Sequence, residues 1–439
     1  AGEKKFTGAE SIWRFGVYAG HECRSFVAAL PGLCRDNPSD GKGGRTVKRK
    51  VLIVATVVKQ HILTFHLPVL EWFQKQGWET HVAAANDFDR SEECRIPFCD
   101  VYHPISFSRT PFHANNLRAY HELKRLLKQE RFALVHTNTP SASVLLRFAC
   151  RKEQKNGTKV IYTAHGFHFY QGTSWRDTPW KNWLLYYPVE KLCARWTDVL
   201  ITINREDYRL AKTHLPAKQV EYVPGVGVDV KGIAERADRV CREEKRKELG
   251  IPEDAVVMVS VGELSERKNH KMVLEAWKKI KSNEIWYLIC GQGALAEELL
   301  ERAKQLGIAE RFRLLGYRSD VIEVVAVSDL FVFPSKQEGL PVALMEAMAV
   351  GVPCVVSNIR GNRELVSKEY GGLFSLDNPE EFAAQLAKVI RWNIQERRLQ
   401  EGTIKGRIKK ENRKKLKKYS REVVGNKMAE IYFNVCREE

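Results

Sequence analysis

The 439-residue chain has no run of about eighteen uninterrupted apolar residues, which excludes a transmembrane helix and restricts any membrane contact to the surface. It has no CxxC pair and no histidine spacing of the zinc type: ten cysteines, among them Cys94, Cys99, Cys193, Cys290 and Cys354, are scattered singly. Reduced and mostly buried thiols in a cytosolic protein are the expectation, with no metal site. No zinc-finger spacing or RNP-like run is present either, which counts against a nucleic-acid partner. A secretory leader is not expected, because Arg14, His21, Glu22 and Arg24 interrupt each apolar stretch near the start.

What is present is a globular composition, 44% hydrophobic and 10% aromatic, with a formal charge of +17. Such a charge suits phosphorylated substrates or an anionic membrane surface, and the membrane is the favoured partner. The length exceeds one core and predicts two domains of similar weight.

Residues 1–48 have loop chemistry around Asn37-Pro38-Ser39-Asp40-Gly41 and no clear period; they read as a poorly ordered extension. From Val51 the pattern changes. Val51 to Thr56, Thr80 to Ala85, Leu134 to Thr137, Lys159 to Ala164 and Val199 to Ile203 are apolar runs typical of buried strands, separated by helical stretches. Turn chemistry at Tyr222 to Asp229 then separates a first domain, 49–228, from a second, 229–400, with strands expected at Val256 to Val261, Trp286 to Cys290, Arg313 to Leu315, Leu330 to Phe333 and Cys354 to Ser357. The predicted fold class is α/β: two facing doubly wound Rossmann-like domains with the ligand cleft at the carboxyl ends of the strands. Residues 401–439 form a basic terminal segment, rich in Lys and Arg from Lys405 to Arg421, ending in a periodic helix Val423 to Val435. That basic run reads either as a solvated helix face or as a contact for anionic lipid.

The most informative stretch runs from Leu330 to Val356. An apolar strand leads through Pro334-Ser335 to Glu338-Gly339-Leu340-Pro341, which opens a helix carrying Glu346. Pro341 is expected at the first helical position, where its missing N–H has no partner to lose. A helix start offers unpaired N–H groups and the positive end of the macrodipole, a seat for a diphosphate. Acidic residues also complement helix starts without any ligand, and Ala343, Leu344, Ala347 and Met348 suit any amphipathic helix. The residues alone leave both readings open.

The wording of the segment goes further. Glu338-Gly339-Leu340-Pro341-Val342-Ala343-Leu344-Met345-Glu346-Ala347-Met348-Ala349, followed by Gly351-Val352-Pro353, resembles the E-x7-E signature of retaining glycosyltransferases of family 4. Smaller blocks agree in the same order: Val54 to His61, Tyr162 to Tyr170, Ser260 to Leu264 and Leu315 to Asp320. From Lys50 to about Tyr432 the chain is similar to bacterial enzymes of capsule and exopolysaccharide assembly, which have the GT-B arrangement.

The resemblance implies that Glu338 faces the donor sugar, that Glu346 holds ribose hydroxyls, and that the N–H groups of Gly339, Leu340 and Val342 meet the diphosphate. It makes Lys268, in Glu266-Arg267-Lys268-Asn269-His270, the cation opposing the leaving diphosphate, with Arg267 assisting. The family more often has Arg where this chain has Glu263. His165 is implied beside the donor sugar, with His168 a weaker candidate. Gly291 is expected to leave room near the nucleotide, and the backbone at Tyr317 and Arg318 to hold the base. Paired glycines common after the first strand are replaced here by Thr56 to His61, so Lys59 and His61 are candidates for an acceptor phosphate. Amides and cations take the place of a metal; no cofactor is expected beyond the nucleoside diphosphate sugar as co-substrate.

The expected activity is retaining transfer from a UDP-sugar to a polyprenyl-diphosphate-linked saccharide, on the cytoplasmic face of the cell membrane. Two alternatives stand beside it: a nucleotide-sugar 2-epimerase of the same fold, and a non-enzymatic basic membrane-binding protein. Between Trp175 and Trp196, the mixture of Trp180, Lys181, Trp183, Leu184, Leu185, Tyr186, Tyr187 and Lys191 suits either a water–lipid boundary or a buried helix interface.

Overall fold

The computed structural model describes residues 48–108, 113–167, 169–170, 180–280, 284–366, 371–399 and 403–437. The extension 1–47, His168 and Trp175 lie outside them. The chain divides into two compact units. One closes at Gly227 and takes in the chain again from Lys418; the other is Val228–Lys417.

The first unit contains a seven-stranded sheet of β1 (Lys50–Val57), β2 (Glu79–Ala85), β3 (Val101–Pro104), β4 (Leu134–Thr137), β5 (Lys159–Ala164), β6 (Val199–Thr202) and β7 (Gln219–Tyr222), in the order β3-β2-β1-β4-β5-β6-β7. All its pairings are parallel. Successive residues of β1 serve opposite faces: Val51, Ile53 and Ala55 join one core, Leu52 and Val54 another. Both faces are therefore covered, and a continuous apolar run is what a strand in that position requires.

The second unit repeats the plan with β8 (Val256–Val261), β9 (Ile285–Cys290), β10 (Phe312–Gly316), β11 (Leu330–Phe333), β12 (Cys354–Ser357) and β13 (Gly371–Phe374), ordered β10-β9-β8-β11-β12-β13. Strand order reverses at β1/β4 and again at β8/β11, so the connections leave each sheet on opposite sides and open a crevice at the carboxyl ends of those strands.

The strands absent from the sequence reading are β3 and β13, with β7 implied only by the turn after it; all three lie at sheet edges. Val101–Pro104 and Gln219–Tyr222 are exposed or half-buried along their length, so they carry no uninterrupted apolar run to detect.

At the amino-terminal end of the β8/β11 crossing a buried clasp fixes the two strands. The Asp329 carboxylate accepts hydrogen bonds from Val257 N at 2.9 Å, Arg246 Nη2 at 2.9 Å and Arg242 Nη2 at 2.9 Å. Arg246 also donates to the carbonyls of Val327, Glu253 and Ala255. Two cations and an amide thus satisfy a fully buried acid, and removing one partner would leave a buried charge uncompensated.

The basic segment 401–439 does not stay together. Its helix Thr403–Leu416 belongs to the second unit, where Lys409 bonds Asp238 at 2.5 Å and Arg413 donates to Ala349 O at 3.0 Å. The helix Arg421–Arg437 belongs to the first unit and buries Val424, Ala429, Ile431, Tyr432 and Val435 in the core beside β1. Apolar positions of that last helix decide its docking, which the run of positive charge before it conceals.

Replacing Asp329 with Ala strands Arg246 without its carboxylate. A loss of about 3–5 kcal/mol in the unfolding free energy of the second unit is expected in a urea titration; a loss below the error of the titration would show that the clasp does not hold the crossing.

Candidate active site

The open end of the β8/β11 crossing carries the residues that the sequence singled out. β8 runs into Gly262 and a tight turn to His270; β11 runs into Pro334 to Pro341 and the helix Val342–Val350. Lys268 and Glu338, 70 residues apart in the chain, meet there with Nζ to Oε1 at 2.8 Å, and Arg267 Nη1 reaches the same oxygen at 2.8 Å. Arg267 also donates to Gln337 O at 3.1 Å, so it grips both side chain and backbone of the loop. The Lys268 ammonium lies 4.4 Å from the centroid of the Phe333 ring, a face-on cation–π contact.

Burial by itself would raise the Glu338 carboxyl, but the charges of Lys268 and Arg267 and their hydrogen bonds hold it below the ordinary carboxylate range. Burial also draws the Lys268 ammonium below its usual value, against the opposing pull of Glu338. Two cations thus converge on one carboxylate oxygen, and Glu263 adds a second negative charge that acts on Lys268. Next to it, His270 is pushed down to about 3 by burial and stays neutral, its ring nitrogens facing Glu263 O and the Tyr287 hydroxyl, each at 3.3 Å.

Two expectations about this loop change. Pro341 is the residue capping the helix, with φ −75 and ψ 121, and Val342 is the first helical residue. Glu338 consequently lies in an irregular loop ahead of the helix, where no helical hydrogen bond restricts it and the two cations can gather its carboxylate. The first hydrogen bond of the helix runs from Met345 N to Pro341 O, so the N–H groups of Val342, Ala343 and Leu344 point out of the helix start. Within the helix only Val342 and Glu346 escape full burial, one turn apart on one face. Gly339 is half-buried in the loop and Leu340 is buried beneath it.

A neighbouring loop, which the sequence did not single out, holds this one in place. Arg360, almost wholly buried, donates from Nε to Glu338 O at 3.3 Å. Gly361 has φ +80, and a Cβ there would stand 2.3 Å from Gly339 O, so only glycine allows the two backbones to lie this close. Ser357 Oγ donates to Ser335 O at 2.6 Å, completing the seam. A signal was available: Arg360-Gly361 follows β12, the strand beside β11.

Gly291 is also a matter of packing. Its N–H bonds Gly316 O at 2.8 Å, and a Cβ would fall 1.8 Å from Gly262 O, so its smallness lets the loops after β8, β9 and β10 stack. Tyr317 is substantially exposed at the end of β10. The Arg318 guanidinium is engaged by Asp320 at 2.6 Å and Glu248 at 2.9 Å, which raise it above its usual value and leave the backbone as the part of this residue open to other uses.

His165 stands in the other unit, after β5. Its ring is 6.0 Å from that of His61 and 6.3 Å from that of Phe65, and burial pushes it down to about 4. His66 is held well below its ordinary value, and His136, pushed down to about 3, is bonded on both nitrogens, by Thr163 Oγ1 at 2.9 Å and the Tyr432 hydroxyl at 2.8 Å. Among the described residues, buried side-chain atoms without a hydrogen-bond partner gather at this edge: His66 Nε2, Thr137 Oγ1, Asn138 Nδ2, Thr139 Oγ1 and His165 Nε2. They lie at the carboxyl ends of β4 and β5 and in the segments that follow β1, β4 and β5, the end of the sheet where its crevice opens. Thr137 to Thr139 were missed in the sequence; three polar residues ending an apolar strand before Pro140 were the signal. Lys59, by contrast, is engaged: its backbone N–H bonds the Asp87 carboxylate at 2.5 Å and its Nζ lies 5.4 Å from the Phe88 ring centroid.

One group among the described residues has metal-like spacing, Glu79, His81 and Glu130. The Lys50 ammonium occupies that charge role, 2.6 Å from Glu130 and 3.4 Å from Glu79, at the amino-terminal end of the sheet and remote from the crevice edge.

Two parallel sheets of this order, each covered by helices, define an α/β protein with two Rossmann-like units, and comparison with known proteins is specific. The model of "Glycosyl transferases group 1" matches residues 241–423 and that of "Glycosyltransferase Family 4" residues 69–231. EpsD of Bacillus subtilis (strain 168), whose name describes a glycosyltransferase, is 35% identical over 345 residues, 78% of this chain and 87% of that protein. An Escherichia coli protein named UDP-Gal:alpha-D-GlcNAc-diphosphoundecaprenol alpha-1,3-galactosyltransferase is 32% identical over 282 residues, 62% of this chain and 70% of its own. Among solved structures, Anabaena HepE in complex with UDP and glucose superposes with a TM-score of 0.66 at 17% identity, covering 88% of this chain and 100% of that one. Sucrose-phosphate synthase from Thermosynechococcus elongatus gives 0.69 at 16% identity, covering 88% and 99%. The chain belongs to glycosyltransferase family 4 and has the GT-B fold; it is an enzyme of the transferase class.

The neutral, buried histidines set a pH dependence. Their folded values lie below the unfolded value of 6.5, so the unfolded chain binds more protons between the two, and stability present above 6.5 is lost as pH falls toward about 4 for His165 and about 3 for His136. Urea midpoints of the first unit should decline steadily from pH 7 to pH 4; equal midpoints across that range would contradict the neutral burial.

Proposed function

We propose that the chain transfers a sugar from a nucleoside diphosphate sugar, with uridine diphosphate as the carrier, to a hydroxyl of a polyprenyl-diphosphate-linked saccharide, with retention at the anomeric carbon. The place of this step is the assembly of exopolysaccharide or capsule, at the anionic cytoplasmic face of the cell membrane. One observation carries the reading: Lys268 and Arg267 converge on Glu338 beside the helix start at Val342. The name of the Escherichia coli relative, which contains both a UDP-sugar and a diphosphoundecaprenol acceptor, supports the choice of donor and acceptor class.

In this reading the diphosphate lies against the N–H groups of Gly339, Leu340 and Val342, with the helix dipole behind it. Lys268 and Arg267 oppose the charge that develops on the leaving oxygen, the task a divalent metal performs elsewhere, so no metal is needed. Glu338 accepts hydrogen bonds from donor-sugar hydroxyls and Glu346 from the ribose. His165 contacts the donor sugar in its neutral form. As the bond from the anomeric carbon to the diphosphate oxygen breaks, the acceptor oxygen bonds to that carbon on the same face. The acceptor proton passes to the departing diphosphate oxygen, which balances the transfer without a protein base. Tyr317 and Arg318 hold the base through their backbone.

The test is incubation with a panel of nucleotide sugars and polyprenyl-diphosphate saccharides, with product masses followed. An acceptor heavier by one glycosyl unit is expected. Donor conversion that proceeds equally without acceptor would replace this reading by a 2-epimerase. Lys268→Ala and Glu338→Gln are each expected to lower turnover by roughly a hundredfold to a thousandfold while circular-dichroism melts keep a folded transition. Undiminished turnover in both variants would remove the mechanism.

A further inference from the structure

We propose that the helix Trp180–Ala194 is the surface by which the first unit docks on an anionic lipid headgroup layer. The inference deepens the membrane part of the reading above and does not depend on the transfer chemistry.

The helix is apolar on two sides for different reasons. Its inner side is structural: Trp183, Tyr186, Tyr187 and Ala194 pack with Phe169 and Leu200, and Glu190 forms a bidentate pair with buried Arg147 at 2.6 and 3.1 Å. Among the described residues its outer side has no such partner. Trp180 is 69% exposed and Leu184 70%, and Leu185, Val189 and Leu192 are exposed with them, so one helix supplies half of the ten exposed large hydrophobic residues among those described. At 100° per residue these positions fall within one half-turn of the helix surface.

Charge decides between occupants. The other exposed positions of the helix are Lys181, Pro188 and Lys191, with exposed Arg195 just beyond; the helix's single acid, Glu190, is buried against Arg147. Cations interleaved with exposed apolar groups, on a helix whose described exposed charges are all positive, suit an anionic lipid boundary, where rings and aliphatic groups enter and ammonium groups meet phosphates. A symmetric contact with a second copy would set these cations against one another.

The basic helix Thr403–Leu416 is a weaker candidate for the same role. It buries Ile408 and Leu416 and commits Lys409 and Arg413 to Asp238.

The experiment is flotation of the full chain with vesicles of phosphatidylglycerol and phosphatidylethanolamine, against vesicles of phosphatidylcholine alone. Wild type should float with the anionic vesicles, and less so as salt is raised. The double variant Trp180→Glu/Leu184→Glu changes two exposed side chains, so its thermal melt should match wild type while its vesicle affinity falls by at least about tenfold. Lys181→Ala and Lys191→Ala should each weaken binding to anionic vesicles by about fivefold. Lys410→Glu/Lys414→Glu, on the basic helix, should float as wild type does. A wild-type chain that stays in solution, or a double variant that floats undiminished, overturns the proposal. So does a wild-type dimer that becomes a monomer in the double variant without lipid, since the face then covers a second copy. Transfer to a water-soluble acceptor analogue should be equal in wild type and double variant; its absence from both, with flotation intact, would sink the transfer reading and leave the docking surface standing.

Discussion

The reversal of strand order at β8 and β11 is the constraint on which the second unit depends. Parallel strands whose connections leave in opposite directions cannot close over their shared carboxyl end, so the two following loops must face one another. At the opposite end the same pair of strands is locked by the Asp329 clasp. The result is a crossing that is rigid where it is closed and chemically equipped where it is open. Glu338, Lys268 and Arg267 occupy the open end because loops starting from adjacent strands need only a few residues to meet.

The charges there are deliberate in a physical sense. The Glu338 carboxylate receives two cations at one oxygen, and Glu263 adds a further negative charge that acts on Lys268. Phe333 lies beneath the Lys268 ammonium, and the loop is pinned through Arg360 and the close passage of Gly361 by Gly339. Glycines at this site are used mainly for contact between backbones. Gly291 illustrates the point: its missing side chain is filled by the carbonyl of Gly262.

The first unit organises its open edge differently, with histidines kept neutral by burial and a group of unpaired polar atoms at the ends of β4 and β5. The helix Arg421–Arg437 supports that edge from below, since Tyr432 donates or accepts at His136 while its neighbours fill the apolar core. Its partner in the sequence, the basic helix before it, belongs to the other unit, and the chain changes unit near Lys417. Clusters of like charge are therefore a poor guide to shared location in this protein.

Buried strands were legible because a strand covered on both faces has to be apolar throughout, as β1, β8 and β11 are; edge strands such as Val101–Pro104 answer to no such requirement. The E-x7-E wording disclosed the family and marked Glu338 and Glu346, and the same resemblance pointed to Lys268. Only the folded chain decided that Pro341 caps the helix, that Arg267 and Lys268 converge on one carboxylate oxygen, that Arg360 and Gly361 secure the loop, and that Thr137 to Thr139 end at a polar edge. Each of these is a contact between segments far apart along the chain or a choice of backbone angle at a helix end, set by three-dimensional packing and written in no local pattern. The sequence by itself determined which segments must be buried; the tertiary structure decided which of their ends meet.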